Sequence, residues 1–293
     1  MKVRRLPNLE NNNIKTKKDS LPPMYPNLPQ AYYRLNVSGS SGSGKGVAVL
    51  NMLSKQYPFF DKIFVVSPTI HNDPKANEFF SNKENVIVFD EPSVDLVKEI
   101  KEDIERMVAE HKEYKKVKEI YKKFKKNNYD PSSLSSSELM KLYTCNFDPR
   151  TCKMAIDRDK INCLVYFDDC QGLGVLKSPT FENFVIKARH HQSNMIVSSQ
   201  TFKGVANVWR RNSTCHFIFK TNDLNQVLSI YEEVAGLFKS REQFLKIYDY
   251  CTKERHSFLY IDTMDKENPI RKNFNESILL NQFEDEEEEQ ISK

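Results

Sequence analysis

The sequence has no hydrophobic run long enough to cross a bilayer, no cysteine pair at two-residue spacing, no internal repeat and no apolar segment among its first residues. Each absence excludes something. A spanning helix needs roughly 18 or more consecutive apolar residues, and residues 1–13 carry basic side chains without the apolar stretch of a signal peptide. The chain is therefore expected to be neither secreted nor embedded in a membrane. Cys145, Cys152, Cys163, Cys170, Cys215 and Cys251 lack both metal-ligand spacing and a nearby histidine pair, which argues against zinc. Three of the six lie in or beside apolar runs and read as small core residues, reduced in a cytosol-like compartment.

Within 293 residues, 39% apolar and 29% charged, there is enough chain to bury a full core. The net charge of +4 is mild but unevenly placed, with basic clusters early and in the middle and an acidic run at the end. Residues 1–29, rich in Asn, Lys and Pro, read as a flexible basic arm. Residues 30–280 read as one domain, and 281–293 as an acidic tail. Strands are expected at 32–37, 62–66, 86–89, 161–167, 195–199 and 215–219, with a last one at 258–261 ending the sheet. Strands separated by helical patterns predict an α/β fold with a mostly parallel sheet flanked by helices. Residues 93–160 read as a helical insertion, because Val97, Ile100, Ile104, Met107 and Val108, then Tyr114, Val117, Tyr121 and Phe124, recur at helical spacing.

Between the first strand and an apolar helix pattern runs Gly39, Ser40, Ser41, Gly42, Ser43, Gly44, Lys45 and Gly46, a match to the phosphate-binding loop GxxxxGK. Glycines let successive backbone N–H groups converge on phosphate oxygens, the helix N-terminus adds partial positive charge, and Lys45 can reach the β and γ phosphates. The competing reading is a Gly/Ser-rich linker. One departure matters. The residue after the lysine is ordinarily Ser or Thr, whose hydroxyl binds Mg²⁺, and here it is Gly46.

The apolar run at 164–167 delivers Asp168 and Asp169 to a strand end, where open α/β sheets place ligands. Neighbouring strand residues point to opposite sides, so the two acids can take different tasks: Asp168 holding Mg²⁺ or its water, Asp169 orienting and polarising the attacking water. The alternative is a turn or helix cap. Gln200 closes another apolar strand, where it can contact the γ-phosphate and the attacking water, although a polar strand end is ordinary. Arg189, before that strand, is a candidate to stabilise transition-state charge on a neighbouring subunit's nucleotide, in competition with Arg210 and Arg211.

Gly39 to Lys45, the strand ending Phe167-Asp168-Asp169, Ala188-Arg189-His190-His191, the strand ending Ser198-Ser199-Gln200 and the segment Trp209-Arg210-Arg211-Asn212 together resemble the FtsK/HerA superfamily of P-loop motors. Within it, they are most similar to the genome-packaging ATPases of large DNA viruses and their virophages. The resemblance spans about residues 31–262. It implies a RecA-like sheet with the sensor strand between the two Walker strands, ATP and Mg²⁺ as cofactors, and ring-shaped homo-oligomers translocating double-stranded DNA. It implies capsid or portal-vertex partners, and a place in the host cytoplasm (viral factory) or the virion. On this resemblance Gln200 is the sensor, and Arg189 or Arg210 the trans-acting arginine.

Lys115, Lys116, Lys122 and Lys123, in a wider lysine cluster interleaved with Tyr114, Tyr121 and Phe124, are candidate DNA-phosphate contacts. A solvated face over a buried aromatic stripe is the rival explanation. Arg4, Arg5, Lys15, Lys17 and Lys18 can dock a partner or DNA, and the acids at 284–289 either form a solvated tail or mimic DNA. Two further functions stand beside a motor. A degenerate P-loop can act as a nucleotide-binding switch or interaction module with little turnover, and small-molecule kinases also use this loop, though no lid arginine cluster is evident.

Overall fold

A computed structural model describes residues 24–81, 83–150 and 159–280. Cys152, the basic residues of 1–23 and the acidic tail 281–293 lie outside the described residues. Nine strands form one sheet: β1 (Arg34–Ser38), β2 (Lys62–Val66), β3 (Val86–Phe89), β4 (Cys163–Asp168), β5 (Ser193–Ser199), β6 (Cys215–Phe219), β7 (Phe258–Asp262), β8 (Ile270–Lys272) and β9 (Glu276–Ser277). Their order is β3-β2-β4-β5-β1-β6-β7-β8-β9. Pairings from β3 to β6 are parallel, and those from β6 to β9 antiparallel. The architecture is the α/β class expected, and β5 lies between β1 and β4 as the resemblance implied.

Apart from Arg34, Asn36, Lys62, Asp168 and Asn194, the strands β1, β2, β4 and β5 are made of apolar or small residues, because helices cover both faces of the sheet. The helices are α1 (Lys45–Gln56), α2 (Pro74–Ser81), α3 (Val94–Lys126), α4 (Ser136–Thr144), α5 (Pro179–Lys187), α6 (Asn207–Asn212), α7 (Leu224–Val234) and α8 (Arg241–Thr252). Alternate strand residues face opposite layers. Leu35, Val37, Ile63, Val65 and Leu164 pack with Val49, Met52 and Leu53 of α1 and Phe80 of α2. Phe64, Val66, Val165, Phe167 and Val197 pack with Ile100 and Ile104 of α3, Phe181 and Phe184 of α5 and Trp209 of α6. Cys163 and Cys215 are buried within these clusters as expected of core residues. No helix of the described residues is long and apolar enough to cross a membrane.

Between β3 and β4 the described residues form α3 and α4, and the two parts of α3 do different work. Ser93 caps α3 by accepting from the Leu96 N–H at 3.0 Å, and Leu96, Val97, Ile100 and Ile104 then cover the sheet like any crossover helix. The later turns, on a helix of 33 residues or about 50 Å at 1.5 Å per residue, run on beyond that cluster. There Tyr114 packs on Phe147, with ring centroids 5.1 Å apart. A capping box of Ser135 and Glu138 starts α4 beside it.

The structure corrects the expected end of the sheet. Past β7 the chain adds β8 and β9, whose sequence hides them, since β8 is Ile-Arg-Lys and yet fully buried. Arg271 is ion-paired with Asp265, donates to the Asn27 carbonyl at 2.9 Å and lies over the Tyr260 ring. Lys272 pairs with Glu254 at 2.8 Å and lies over Tyr250. Aliphatic stems thus fill the strand's core positions while the charged heads find partners. Residues 24–29, read from sequence as part of the arm, also pack on the core. Met24 and Leu28 are buried, and Gln56 donates to the Pro29 carbonyl at 2.8 Å.

At the edge where the parallel strands begin, polar groups lock one another. Asn194 donates to Asn162 Oδ1 at 2.6 Å and the Cys163 carbonyl at 2.9 Å, and accepts from the Tyr33 N–H at 3.1 Å. Asn162 accepts in this way while its own N–H donates to Asp61 at 2.7 Å. These buried groups would each cost free energy if left unmet.

Candidate nucleotide-binding cleft

At the opposite edge, where the parallel strands end, β1 passes into the glycine loop and α1. Gly44 caps α1 at φ +103°, a left-handed conformation open to glycine. Gly39 is needed for closeness instead: a Cβ there would stand 2.6 Å from Phe219 Cβ and 2.8 Å from Ser43 Oγ. The Ser43 hydroxyl is buried across the inside of the loop and has no hydrogen-bond partner. Lys45 curls back over the loop, donating to the carbonyls of Gly39 at 2.6 Å and Ser40 at 2.9 Å. Burial pulls the lysine's pKa down, and the charges of Asp168 and Asp169 oppose that pull.

A cleft of about 820 Å³ opens over the loop. It is lined by the loop from Ser41 to Gly46, by Asp168 at the end of β4 and Asp169 just past it, by Gln200 after β5, and by Thr69, Asp73, Arg255 and His256. Three adjacent strands, β4, β5 and β1, therefore bring Lys45, Asp168, Asp169 and Gln200 together as the sequence motifs predict. Burial pushes the Asp168 carboxyl pKa up, partly countered by hydrogen bonding from Ser198 and Tyr166 and, less, by the Lys45 ammonium. The Ser67 hydroxyl donates to Asp168 Oδ2 at 3.5 Å.

Alternation along the strand would turn Asp168 and Asp169 to opposite sides, but the structure differs. Asp169 has left the strand at φ +52°, a left-handed conformation that costs a non-glycine residue free energy and recurs at functional sites. The twist brings both carboxylates into one cleft. Gln200 then donates its amide to Asp169 Oδ1 at 3.1 Å and Oδ2 at 3.3 Å.

The arginines fall elsewhere. Arg189 is exposed after α5, at the edge where β5 starts, and close enough to Arg34 for its charge to lower that residue's pKa, after the larger effect of burial. Arg210 is held inside its own subunit by the Val205 carbonyl at 3.0 Å and Glu233 at 3.4 Å, with the Phe202 ring beneath it. Arg211 is exposed. Of the candidate DNA contacts, Lys115 pairs with Asp159 at 2.8 Å, Lys116 with Glu113 at 3.5 Å and Lys123 with Glu138 at 3.1 Å, while Lys122 is exposed.

No family model and no curated protein matches the chain. Solved structures do. The genome-packaging NTPase B204 of Sulfolobus turreted icosahedral virus 2, in complex with AMP, is similar at 12% identity and a TM-score of 0.48, over 85% of this chain and 98% of that one. The ATPase 2 and 3 portion of EssC from Geobacillus thermodenitrificans is similar at 12% identity and a TM-score of 0.47, over 82% of this chain and 39% of that one. The pCW3 conjugation coupling protein TcpA, as a monomer with ATPγS, is similar at 12% identity and a TM-score of 0.44, over 89% and 66%. The fold itself stands on the strand order and loop described above.

Sequence reasoning missed several residues in and beside the cleft. Gln171 Oε1 accepts from the backbone N–H of Gln200 at 3.0 Å and of Thr201 at 3.2 Å, tying the turns after β4 and β5 together. His256, at φ +67°, brings its Nδ1 within 3.2 Å of the Ser43 carbonyl and packs on Gly44. Asp73, between β2 and α2, faces Gly46. No local motif marks these residues, because each acquires its place only when distant loops meet.

Proposed function

We propose that this chain is an ATP-hydrolysing motor that moves double-stranded DNA into a viral capsid, as a homo-oligomeric ring docked on capsid or portal-vertex proteins in the host cytoplasm (viral factory) or virion. The observation that carries the reading is the convergence of the glycine loop, Asp168, Asp169 and Gln200 on one cleft. The loop's N–H groups and the start of α1 receive the phosphates. The Lys45 ammonium leaves the Gly39 and Ser40 carbonyls to meet them. Asp169 orients the attacking water and takes its proton as the bond from the γ-phosphorus to ADP breaks. Gln200 holds Asp169 in place through its amide. The carboxylate of Asp168, a hard oxygen donor raised in pKa by burial, suits Mg²⁺. A divalent cation bound there supplies Lewis-acid neutralisation of phosphate charge. Arg189 lies at the other edge of the sheet from its own cleft, so in a ring it serves a neighbour's nucleotide.

The deciding experiment is an ATPase assay with and without double-stranded DNA, beside a mass measurement of the nucleotide-bound oligomer. Turnover that rises with DNA and vanishes in Lys45→Ala and Asp169→Asn supports the motor. Gly46 favours a second reading, a nucleotide-binding switch or interaction module with little or no turnover. Normal nucleotide affinity without turnover, even at high protein concentration with DNA, would establish that reading instead.

A further inference from the structure

The loop's one departure from its pattern has a counterpart in the β2–α2 connection. A Cβ built on Gly46 would stand 3.8 Å from Oδ2 of Asp73 and meet nothing else within 4 Å. The ordinary hydroxyl at this position would extend from that Cβ. Asp73 is exposed, yet its carboxylate is held in place. Its Oδ1 accepts from the N–H groups of Lys75 at 3.0 Å and Ala76 at 3.1 Å, capping α2. Its own N–H donates to the Ile70 carbonyl at 3.2 Å, and its carbonyl accepts from the Asn77 N–H at 2.9 Å. One carboxylate oxygen is therefore spent on the cap, which fixes the other toward Gly46. A cap needs only one oxygen, and Asn or Ser would serve it as well. Asp73, Thr69 and Asp168 line the same cleft as the glycine loop.

We propose that Asp73 supplies, from the β2–α2 connection, the protein oxygen for the nucleotide's divalent cation that Gly46 cannot. Asp168 provides the carboxylate on the other side. The inference rests on the nucleotide-binding reading above. Replacing a neutral hydroxyl by a carboxylate has a consequence of its own: without the cation, Asp73 repels the triphosphate, so nucleotide binding depends more steeply on divalent cation than with a hydroxyl there. Carboxylate oxygens suit Mg²⁺ and Mn²⁺ alike.

The test measures binding rather than turnover, on the full chain. Affinity for ATPγS is titrated in EDTA and in Mg²⁺, and bound Mn²⁺ is counted by electron paramagnetic resonance in the presence of ATPγS. Asp73→Asn keeps the helix cap and removes the charge. The expected result is a loss of about tenfold or more in Mn²⁺ affinity and in the Mg²⁺-dependent gain for ATPγS, with affinity in EDTA unchanged or tighter. Adding Gly46→Thr to Asp73→Asn restores the Mn²⁺ affinity, a rescue that a merely structural role for Asp73 would not give. Asp73→Asn with full Mn²⁺ affinity and normal ATPγS binding overturns the assignment of Asp73 alone. Failure of the unmodified protein to bind ATPγS, in EDTA and in Mg²⁺, overturns the nucleotide reading and this inference with it.

Discussion

The two edges of the parallel sheet are built on opposite terms. Where the strands begin, Asn162, Asn194, Tyr33 and Asp61 satisfy one another, leaving little for a ligand to recruit. Where they end, Ser43 has an orphan hydroxyl, Asp169 sits at φ +52°, and Lys45 rests on backbone carbonyls that a phosphate can replace as its partner. One edge uses its polar groups to hold the fold. The other holds polar groups in reserve, and its strain is supported by the rigid strands beneath. Substitutions at the first edge should therefore change stability, and those at the second should change chemistry.

The largest effect expected is on turnover. Lys45→Ala should lower ATP hydrolysis by about 10³-fold, ~4 kcal/mol in the barrier, and weaken nucleotide binding, while the urea midpoint moves little because the lysine covers no core. Arg189 is the exception that sharpens the comparison, since it lies on the quiet edge and yet is exposed. Arg189→Ala should cost about 10³-fold in turnover with nucleotide affinity intact, and only in the assembled oligomer. An equal loss of ATPγS affinity in both variants would show that Arg189 does not act on a neighbour.

Next in size is the buried amide at the quiet edge. Asn194→Leu keeps the volume but strands the Tyr33 N–H and Asn162 Oδ1, at about 1–3 kcal/mol for each buried group left unmet. A total near 3 kcal/mol is expected from urea denaturation, with ATPγS affinity per folded molecule unchanged. A variant that folds normally but loses nucleotide would erase the distinction between the edges.

The sequence made the central strands legible because both faces of β1, β2, β4 and β5 are covered, so their positions are nearly all apolar or small. The glycine loop was legible because its chemistry is local, each residue serving the phosphate through its own backbone. What was hidden depends on tertiary meeting. The strand β8 reads as charged because Arg271 and Lys272 fill core positions with their stems. Asp73 has no meaning in sequence until α2 sets it against Gly46, and Asp169 turns into the cleft only through a backbone angle that alternation cannot anticipate. Helix α7 is a different case: Val227, Ile230 and Val234 recur at helical spacing and are buried, so its signal was present.

A smaller effect should appear with acid. His216, in the middle of β6, is fully enclosed, and burial alone brings its pKa down from 6.5 to about 4. Between those values the unfolded chain binds a proton that the native chain does not, so the contribution is fully present above about pH 6.5 and declines as pH falls toward 4. The loss reaches roughly 3 kcal/mol at the acid end and a little under half of that at pH 5.5. His216→Val should flatten this part of the stability–pH curve. A variant with the same slope from pH 6.5 to 4.5 would place the acid sensitivity in other groups.

The smallest effects belong to the lysine face of α3, which lies on neither edge. Exposed ion pairs contribute about 0–1 kcal/mol, so Lys116→Ala or Lys122→Ala should leave stability within ~0.5 kcal/mol. Their consequence, if this face meets DNA, is electrostatic: each lysine on a phosphate adds about one to the slope of log affinity against log salt. Lys115, Lys116 and Lys123 already have carboxylate partners in Asp159, Glu113 and Glu138, so a phosphate must displace those first. Lys122 makes no ion pair with a described residue and should contribute most to the slope. Double-stranded DNA affinity measured across a salt series for Lys122→Ala, and for all four lysines replaced together, separates the two readings. An unchanged slope in the quadruple variant means that these lysines serve only to solvate the outer face of α3.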